Sequence, residues 1–177
     1  MQDDVKYLKI IRDSWTKEEF PAKCLLVKKG ARSKKLYFIC QGSCRCWFNE
    51  ENGKEVTMNF DFEGSFVSSI ETIISNEPSW YNVETMEPTV VYSMALAEFQ
   101  KRKECDRELE HSYWSHIENR LLHYQKLFVG RIKNSPEKRY RELIAQQPEI
   151  IRRVPLRFIA SFLGITTVSL SRIRSRK

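Results

Sequence analysis

Residues 156–173 read LRFIASFLGITTVSLSRI, and this stretch predicts two short helices joined by a tight turn. Apolar residues of the first helix recur three or four positions apart, which places them on one face: Leu156, Ile159, Ala160 and Leu163. Gly164 follows at once, and glycine adopts the left-handed conformation of a turn without steric cost. We expect Ile165 to be buried in the turn and Thr166 to cap the second helix. The segment has the pattern of a helix-turn-helix.

The end of the chain carries its whole excess of positive charge. Residues 135–177 contain ten Lys and Arg against three Glu, which equals the net charge of +7, whereas residues 1–134 contain 20 residues of each sign. Lys and Arg that neutralise phosphates release condensed counterions, so this segment favours binding to nucleic acid. A basic helix face exposed to solvent would give the same charge count, and charge alone does not decide between the two.

The polar side of the second helix suits the DNA major groove, where the second helix of such a unit lies. Arg172 can donate two hydrogen bonds to guanine O6 and N7, and Arg174 would lie near phosphates. The free N–H groups at the helix start suit a further phosphate. An ordinary helical hairpin would share the glycine and the apolar spacing, but not the charge. We predict contacts with double-stranded DNA from Thr166, Thr167, Ser169, Ser171, Arg172 and Arg174.

From about residue 23 to residue 99, short β-prone runs alternate with turn signals. The runs include KLYFICQGSCRCWFN at 35–49 and EVTMNFDF at 55–62, and Asn52-Gly53 between them predicts a tight hairpin. This spacing predicts an antiparallel sandwich or barrel. Two segments, residues 4–12 and 66–75, have helical patterns instead.

A long helix is predicted from about residue 104 to 133, because neither Gly nor Pro interrupts the chain before Gly130. Thirty residues would span ~45 Å, far beyond the ~11–12 residues of an average helix. Such a helix with a line of large apolar side chains favours pairing with a parallel copy of itself, and packing along its own barrel is the alternative. Ser135-Pro136 then begins a further helix, which ends near Pro148, and a short link leads to residue 156. We predict a dimer interface at Tyr113, Ile117, Leu121, Tyr124 and Phe128.

The segment VPLRFIASFLGITTVSLSRIR, residues 154–174, resembles the C-terminal helix-turn-helix of the Crp/Fnr transcription regulators. Residues 36–69 are similar to part of a cyclic-nucleotide-binding β-roll, with a Gly-x-Phe motif at Gly64-Ser65-Phe66. The resemblance covers about residues 15–177. It implies an α+β fold in three parts: an N-terminal antiparallel, jelly-roll-like β-roll (1–103), a long dimerisation helix (104–134) and a helix-turn-helix DNA-binding domain (135–177).

The resemblance implies a homodimeric, sequence-specific transcription regulator that binds an inverted repeat in double-stranded DNA. RNA polymerase is a further partner that it implies. The family's usual base-contacting positions fall at Thr167, Val168 and Arg172, which adds Val168 to the predicted DNA contacts. Val168 stands where a carboxylate often reads cytosine, so we expect a target sequence different from that of the best-known member.

The residues that hold cyclic AMP in the family are replaced here. The family's Gly-Glu pair reads Ser68-Ser69, its Arg-Ser pair reads Ser79-Trp80, and residues 55–100 contain no Lys or Arg. A buried phosphodiester needs a cationic partner, so we expect no cyclic AMP and no resident cofactor. The sequence leaves two possibilities open: the roll binds another small-molecule effector, or its interior is filled by side chains. The rival hypothesis is a switch that responds to a cyclic nucleotide. The pocket would be lined by Gly64, Ser65, Phe66, Ser68, Ser69, Trp80 and Tyr81.

Three close cysteines, Cys40, Cys44 and Cys46, could ligate a metal, but no fourth ligand is evident and buried packing is the simpler expectation. A β-roll also occurs in metal-dependent cupin enzymes, which need several strand histidines. The histidines here all fall on the predicted long helix: His111, His116 and His123. We therefore expect no metal and no catalytic residue, and a cupin-like enzyme is the second alternative. The absence of a membrane span and of a signal-peptide core predicts a cytoplasmic protein without a membrane partner.

Overall fold

A computed structural model of the chain describes residues 15–175. The β-rich part contains β1 (Thr16–Phe20), β2 (Leu25–Val27), β3 (Lys35–Gln41), β4 (Cys44–Asn49), β5 (Glu55–Asp61), β6 (Phe66–Val67), α1 (Ile70–Ser75), β7 (Asn82–Thr85) and β8 (Thr89–Ala95). The helical part that follows contains α2 (Leu96–Cys105), α3 (Arg107–Lys133), α4 (Pro136–Gln146), α5 (Pro148–Arg153), α6 (Leu156–Leu163) and α7 (Thr167–Ser175).

The strands form two four-stranded antiparallel sheets, with the orders β1-β8-β3-β6 and β2-β7-β4-β5. This confirms the predicted α+β fold with an antiparallel β-roll. Side chains such as Ile39, Val83 and Val91 fill the roll, because alternate residues of each strand point inward. The turn between β3 and β4 requires glycine. Gly42 has a φ of 99°, and a Cβ there would lie 2.5–2.8 Å from atoms of Pro88 and Thr89.

Three local predictions need correction. The strand β1 was not expected, because its sequence TKEEF is charged and lies at a sheet edge, where it pairs only with β8. Phe66 and Val67 are a strand rather than helix, and the helix begins after Ser69, whose hydroxyl caps it. The expected link after Pro148 contains the short helix α5. The helix expected at residues 4–12 lies outside the described residues.

The long helix α3 begins three residues later than predicted. Asp106 caps it by accepting hydrogen bonds from the N–H groups of Glu108 and Leu109 at 3.0 Å. The preceding helix α2 ends at Cys105. At the other end, Ser135 caps α4 and Pro136 occupies its first turn, as the sequence predicts. The Asn52-Gly53 hairpin also forms, with Gly53 at a φ of 82°.

The helical part packs against the roll at two places. The first half of α3 buries Leu109 and Tyr113 against the roll and α2. A second core joins α4, α5, α6 and α7 to Phe60 of β5. Within residues 15–175, no single helix is long and apolar enough to span a membrane, and only α6 and α7 taken together reach that length, with a bend of 98° between them.

Candidate nucleic-acid interface and roll interior

The helices α6 and α7 form the turn that the sequence predicts. Gly164 adopts the left-handed conformation with a φ of 67°, and its N–H donates to the Ser161 carbonyl at 2.9 Å. Thr166 caps α7, because its hydroxyl accepts a hydrogen bond from the Ser169 N–H at 3.1 Å. Leu170 is buried in the core between the two helices. These contacts fix the angle at which α7 leaves the turn.

The predicted DNA contacts lie together on the outer side of α7. Val168 is 59% exposed, and Arg172 and Arg174 point away from the core. Within residues 15–175 neither arginine is ion-paired with a carboxylate. Only Ser169 is half-buried, and its hydroxyl lies 3.0 Å from that of Thr166. The exposed members of the set are Thr166, Thr167, Val168, Ser171, Arg172 and Arg174.

Several arginines in the basic tail have partners within the chain. Arg139 donates to the Leu163 carbonyl at 2.8 Å, and Arg131 of α3 donates to the Phe162 carbonyl at 2.6 Å. Cations at the last carbonyls of a helix satisfy groups that have no partner inside the helix. These two arginines therefore hold the end of α6 beside the turn. Arg141 pairs with Glu137 on α4 at 2.6 Å. Arg172 and Arg174 of α7 are among the tail cations without an acidic partner in residues 15–175, together with Lys138, Arg152 and Arg157.

The first helix of the turn, α6, lies directly against strand β5. The Thr57 N–H donates to the Ser161 hydroxyl at 2.9 Å, and that hydroxyl donates to the Glu55 carbonyl at 3.0 Å. The rings of Phe60 and Phe162 pack 5.3 Å apart between their centroids. These contacts join residues about one hundred positions apart, and no local pattern in the sequence predicts them.

Two arginines add charged contacts between the roll and the helical part. Arg45 of β4 is buried, stacks 3.8 Å from the Phe158 ring and pairs with Glu55 at 2.7 Å. Arg153 at the end of α5 makes a two-pronged pair with Glu63, at 2.7 and 2.8 Å, and also reaches Glu87 at 2.6 Å. The hydrogen bonds from Arg153 hold the pKa of Glu63 below its ordinary value of 4.5.

Most of the predicted pocket residues lie in the roll, where they bond to one another. Ser68 donates to the Lys35 carbonyl at 2.8 Å, and Tyr81 donates to the Ser68 carbonyl at 3.1 Å. Phe66 and Ser69 are also buried, whereas Gly64 and Ser65 lie in the loop before β6. Trp80 does not line the interior. It is 72% exposed, because its neighbours Ser79 and Tyr81 take the inward positions.

The interior of the roll contains a cation that comes from α3. Arg120 reaches Asp61 of β5, with 3.1 Å between its Nη1 atom and the Oδ1 atom of Asp61, and both side chains are at least nine-tenths buried. Asn59 donates to the same Asp61 oxygen at 2.9 Å, and the Cys46 thiol donates to the other at 3.4 Å. The count of Lys and Arg over residues 55–100 does not include this cation, because it comes from α3.

Little space remains beside this ion pair. A cavity of about 20 Å³ lies between Arg120, His116 and Ser68, which is close to the volume that one water molecule needs. Burial and the nearby Arg120 charge lower the pKa of His116, so its imidazole is neutral at pH 7. The space beside this ion pair is therefore nearly filled by the chain's own side chains.

The cysteines lie on both sides of the β3–β4 turn. Cys44 and Cys46 are buried, and Cys40 is half-buried. Burial raises the pKa of the Cys44 and Cys46 thiols well above their ordinary value, so both are protonated at pH 7. Within the described part of the chain, no group of three or more His, Cys, Asp and Glu side chains is placed to hold a metal ion.

The predicted dimer residues divide between two faces of α3. Tyr113 is buried against Phe99 of its own chain, with ring centroids 5.0 Å apart, and Ile117 packs on the same core. Tyr113 is therefore wrongly placed in the prediction. Tyr124 is half-buried beside Arg120. The outer face of α3 exposes the predicted residues Leu121 and Phe128 together with further apolar side chains. We call this exposed set the α3 stripe: Trp114, Leu121, Leu122, Phe128, Val129 and Ile132.

The structure therefore joins a β-roll through a long helix to an exposed helix-turn-helix. Residues 17–103 match the family model of the cyclic nucleotide-binding domain. This match covers just under half of the chain, and the chain as a whole has the fold of solved Crp/Fnr-type structures.

Solved structures of low sequence identity share this fold over nearly the whole chain. FixK2 from Bradyrhizobium japonicum is 16% identical with a TM-score of 0.77, and the match covers 92% of this chain and 83% of FixK2. A crp/fnr-family transcriptional regulator from Eubacterium rectale is 15% identical with a TM-score of 0.74, over 93% and 79% of the two chains. The catabolite activator protein of Thermus thermophilus is 13% identical with a TM-score of 0.60, over 99% and 82%. A search of curated protein sequences finds no significant match.

Proposed function

We propose that the protein is a homodimeric, sequence-specific DNA-binding transcription regulator that recognises an inverted repeat. The observation that carries this proposal is the outer side of α7, where Arg172 and Arg174 have no acidic partner among the described residues. Arginines left exposed beside short hydroxyl side chains match the donors that read base edges and phosphates. We infer that the protein acts in the cytoplasm with RNA polymerase as a further partner and without catalytic activity.

The α3 stripe supports a dimer. Leu121 and Phe128 are 57% and 66% exposed and lie seven residues apart, as do Leu122 and Val129. Apolar residues at heptad spacing on an exposed helix match the contact line of a two-stranded coiled coil. The 27 residues of α3 extend about 40 Å at 1.5 Å per residue, which is long enough for such pairing. A two-fold dimer would present two copies of α7 to successive major grooves about 34 Å apart.

Replacing Arg172 tests the DNA-reading assignment. We expect Arg172→Ala to weaken binding to a selected duplex by about 1–3 kcal/mol and to relax the preference at one base pair of each half-site. The control is Arg102→Ala, which removes the same charge from the exposed ion pair with Glu98 on α2. Equal losses for both variants would show a non-specific charge effect and contradict the assignment.

Replacing Leu121 tests the dimer. Leu121→Asp would place a charge at the centre of the α3 stripe and shift the sedimentation coefficient from dimer to monomer. Asn119→Asp introduces the same side chain at an exposed position outside the stripe, so it should leave the dimer intact. A Leu121→Asp protein that sediments as the wild type would exclude this interface.

We also propose that the roll does not bind cyclic AMP. The paired side chains of Arg120 and Asp61 occupy the interior, and a buried carboxylate would repel a cyclic phosphate. Titration calorimetry with cyclic AMP and cyclic GMP should give no binding heat. Saturable heat with either nucleotide would favour the rival hypothesis of a nucleotide-controlled switch.

A further inference from the structure

A larger cavity lies outside the roll, where α3, α4 and α6 meet the β4–β5 hairpin. Its volume is about 310 Å³, within the range of small-molecule sites in proteins. The walls are mainly apolar and include Val56 and Met58 of β5, Leu127 of α3, Leu143 of α4 and Phe162 of α6. The cavity is therefore bounded by the roll, the long helix and the helix-turn-helix together.

Two guanidinium groups line this cavity, and no carboxylate among the described residues neutralises their charge. Arg131 and Arg139 both line it, and within residues 15–175 neither is ion-paired with an acidic residue. Among the described residues that line the cavity, Glu142 is the only acidic one, and it accepts hydrogen bonds from Asn134 at 3.0 and 3.1 Å. The Nε atom of Arg139 is buried and has no hydrogen-bond partner among the described residues.

The charges around these two arginines favour an anion. Burial and the neighbouring Arg131 charge lower the pKa of Arg139, which shows that the two cations repel each other. Burial lowers the pKa of His123, another lining residue, so its imidazole is neutral at pH 7. A bound carboxylate would supply the missing negative charge beside these two guanidinium groups.

We propose that this cavity binds a small amphiphilic anion, a carboxylate with an apolar tail, and that its binding changes the affinity for DNA. The carboxylate pairs with Arg139, and the tail lies against Val56, Met58 and Leu127. The same two arginines hold the Phe162 and Leu163 carbonyls beside the turn of the helix-turn-helix. A ligand whose carboxylate binds these guanidinium groups therefore competes with the two carbonyls for them. This competition changes the position of α6 and, through the turn, the position of α7. This coupling rests on the proposed DNA-binding function, whereas binding itself does not.

Decanoate below its micelle-forming concentration is the probe for the site, with decan-1-ol and decylamine as its neutral and cationic counterparts. Titration calorimetry on the full-length protein should show saturable binding of decanoate and weaker binding of both counterparts. Arg139→Gln should weaken the binding of decanoate by about ten- to hundredfold, because a charge-assisted hydrogen bond is lost. The affinity for decan-1-ol should be unchanged. Equal affinity for the three probes would overturn the assignment of an anion site.

A second pair of variants tests whether decanoate binds in the cavity or on the α3 stripe. Gly130 lines the cavity, and a Cβ there would meet only the Asn134 amide, at 3.8 Å. Gly130→Leu fills the cavity and Gly130→Ala hardly does, while both replace a helix-interior glycine by a better helix former. We expect decanoate to bind the alanine variant as the wild type and not to bind the leucine variant. Unchanged binding to Gly130→Leu would overturn the proposed site.

Fluorescence anisotropy with a selected duplex tests the coupling. Decanoate should shift the DNA dissociation constant of the wild type and of Gly130→Ala, but not that of Gly130→Leu. Reciprocal linkage requires that DNA then shift the decanoate affinity by the same factor. Decanoate binding without any change in DNA affinity would overturn the coupling alone. A protein that binds decanoate but no duplex would contradict the proposed function and leave the ligand site standing.

Discussion

The ion pair between Arg120 and Asp61 provides the most demanding test of how α3 is attached to the roll. Arg120→Met keeps a long apolar side chain but removes the cation. Asp61 would then be left with the hydrogen bonds from Asn59 and Cys46 and without a positive charge. Because Asp61 is only 5% exposed, water cannot replace the lost partner.

The expected effect is large. Breaking a buried ion pair by removing one partner costs about 3–5 kcal/mol, against a total stability of about 5–15 kcal/mol for an ordinary domain. The pair between Arg120 and Asp61 is a buried ion pair of this kind, because the contact is 3.1 Å long and both side chains are buried. Asp61→Asn alone would leave the Arg120 charge buried without its ion-pair partner, so it should also destabilise the protein. The double variant removes both charges and should recover most of the loss, because a neutral pair carries no uncompensated charge.

Urea unfolding at fixed protein concentration, followed by circular dichroism, measures these free energies. We expect a strongly non-additive cycle, in which the double variant is more stable than Arg120→Met. A loss below about 1 kcal/mol for Arg120→Met, the range of exposed ion pairs, would refute the burial argument. Two single losses that simply add in the double variant would refute the pairing.

Two further predictions concern local contacts. Gly42→Ala should destabilise the roll far more than Gly53→Ala, because both glycines have positive φ but only a Cβ at position 42 meets backbone, 2.7 and 2.8 Å away; equal midpoints in thermal unfolding would contradict this. The stabilisation from Glu63 should be complete above its ordinary pKa of 4.5 and disappear as the pH falls through its lowered value. Wild type and Glu63→Gln should therefore differ in urea midpoint at pH 6, and the difference should shrink as the pH falls below 4.5; a gap that does not shrink in acid would show another origin.

Local patterns in the sequence predict much of this structure. The glycine turn and threonine cap of the helix-turn-helix, the Ser135-Pro136 helix start and the Asn52-Gly53 hairpin each depend on residues within a few positions of one another. The conformational preferences of such residues are carried by the short segment itself. The order of the three parts follows from these segments and from the resemblance to the Crp/Fnr regulators.

Contacts between distant segments could not be predicted in this way. Helical periodicity indicated that α3 is amphipathic, but not that Tyr113 faces its own roll while Leu122 faces solvent. Arg120 was not identified as an interior residue, because its partner Asp61 lies 59 positions earlier in the chain. The contact between Ser161 of α6 and strand β5 could not be predicted for the same reason. The ion pair between Arg153 and Glu63 also joins distant segments. These positions depend on how the roll and the helices meet, which no single segment encodes.

Selection from a random pool of duplexes tests the central claim most directly. The full-length protein is mixed with the pool at low salt, and the bound DNA is amplified, reselected and sequenced. The account predicts enrichment of an inverted repeat whose half-sites lie one helical turn apart, about 10 base pairs from centre to centre. Failure to retain any duplex, or retention without an enriched inverted repeat, would contradict it.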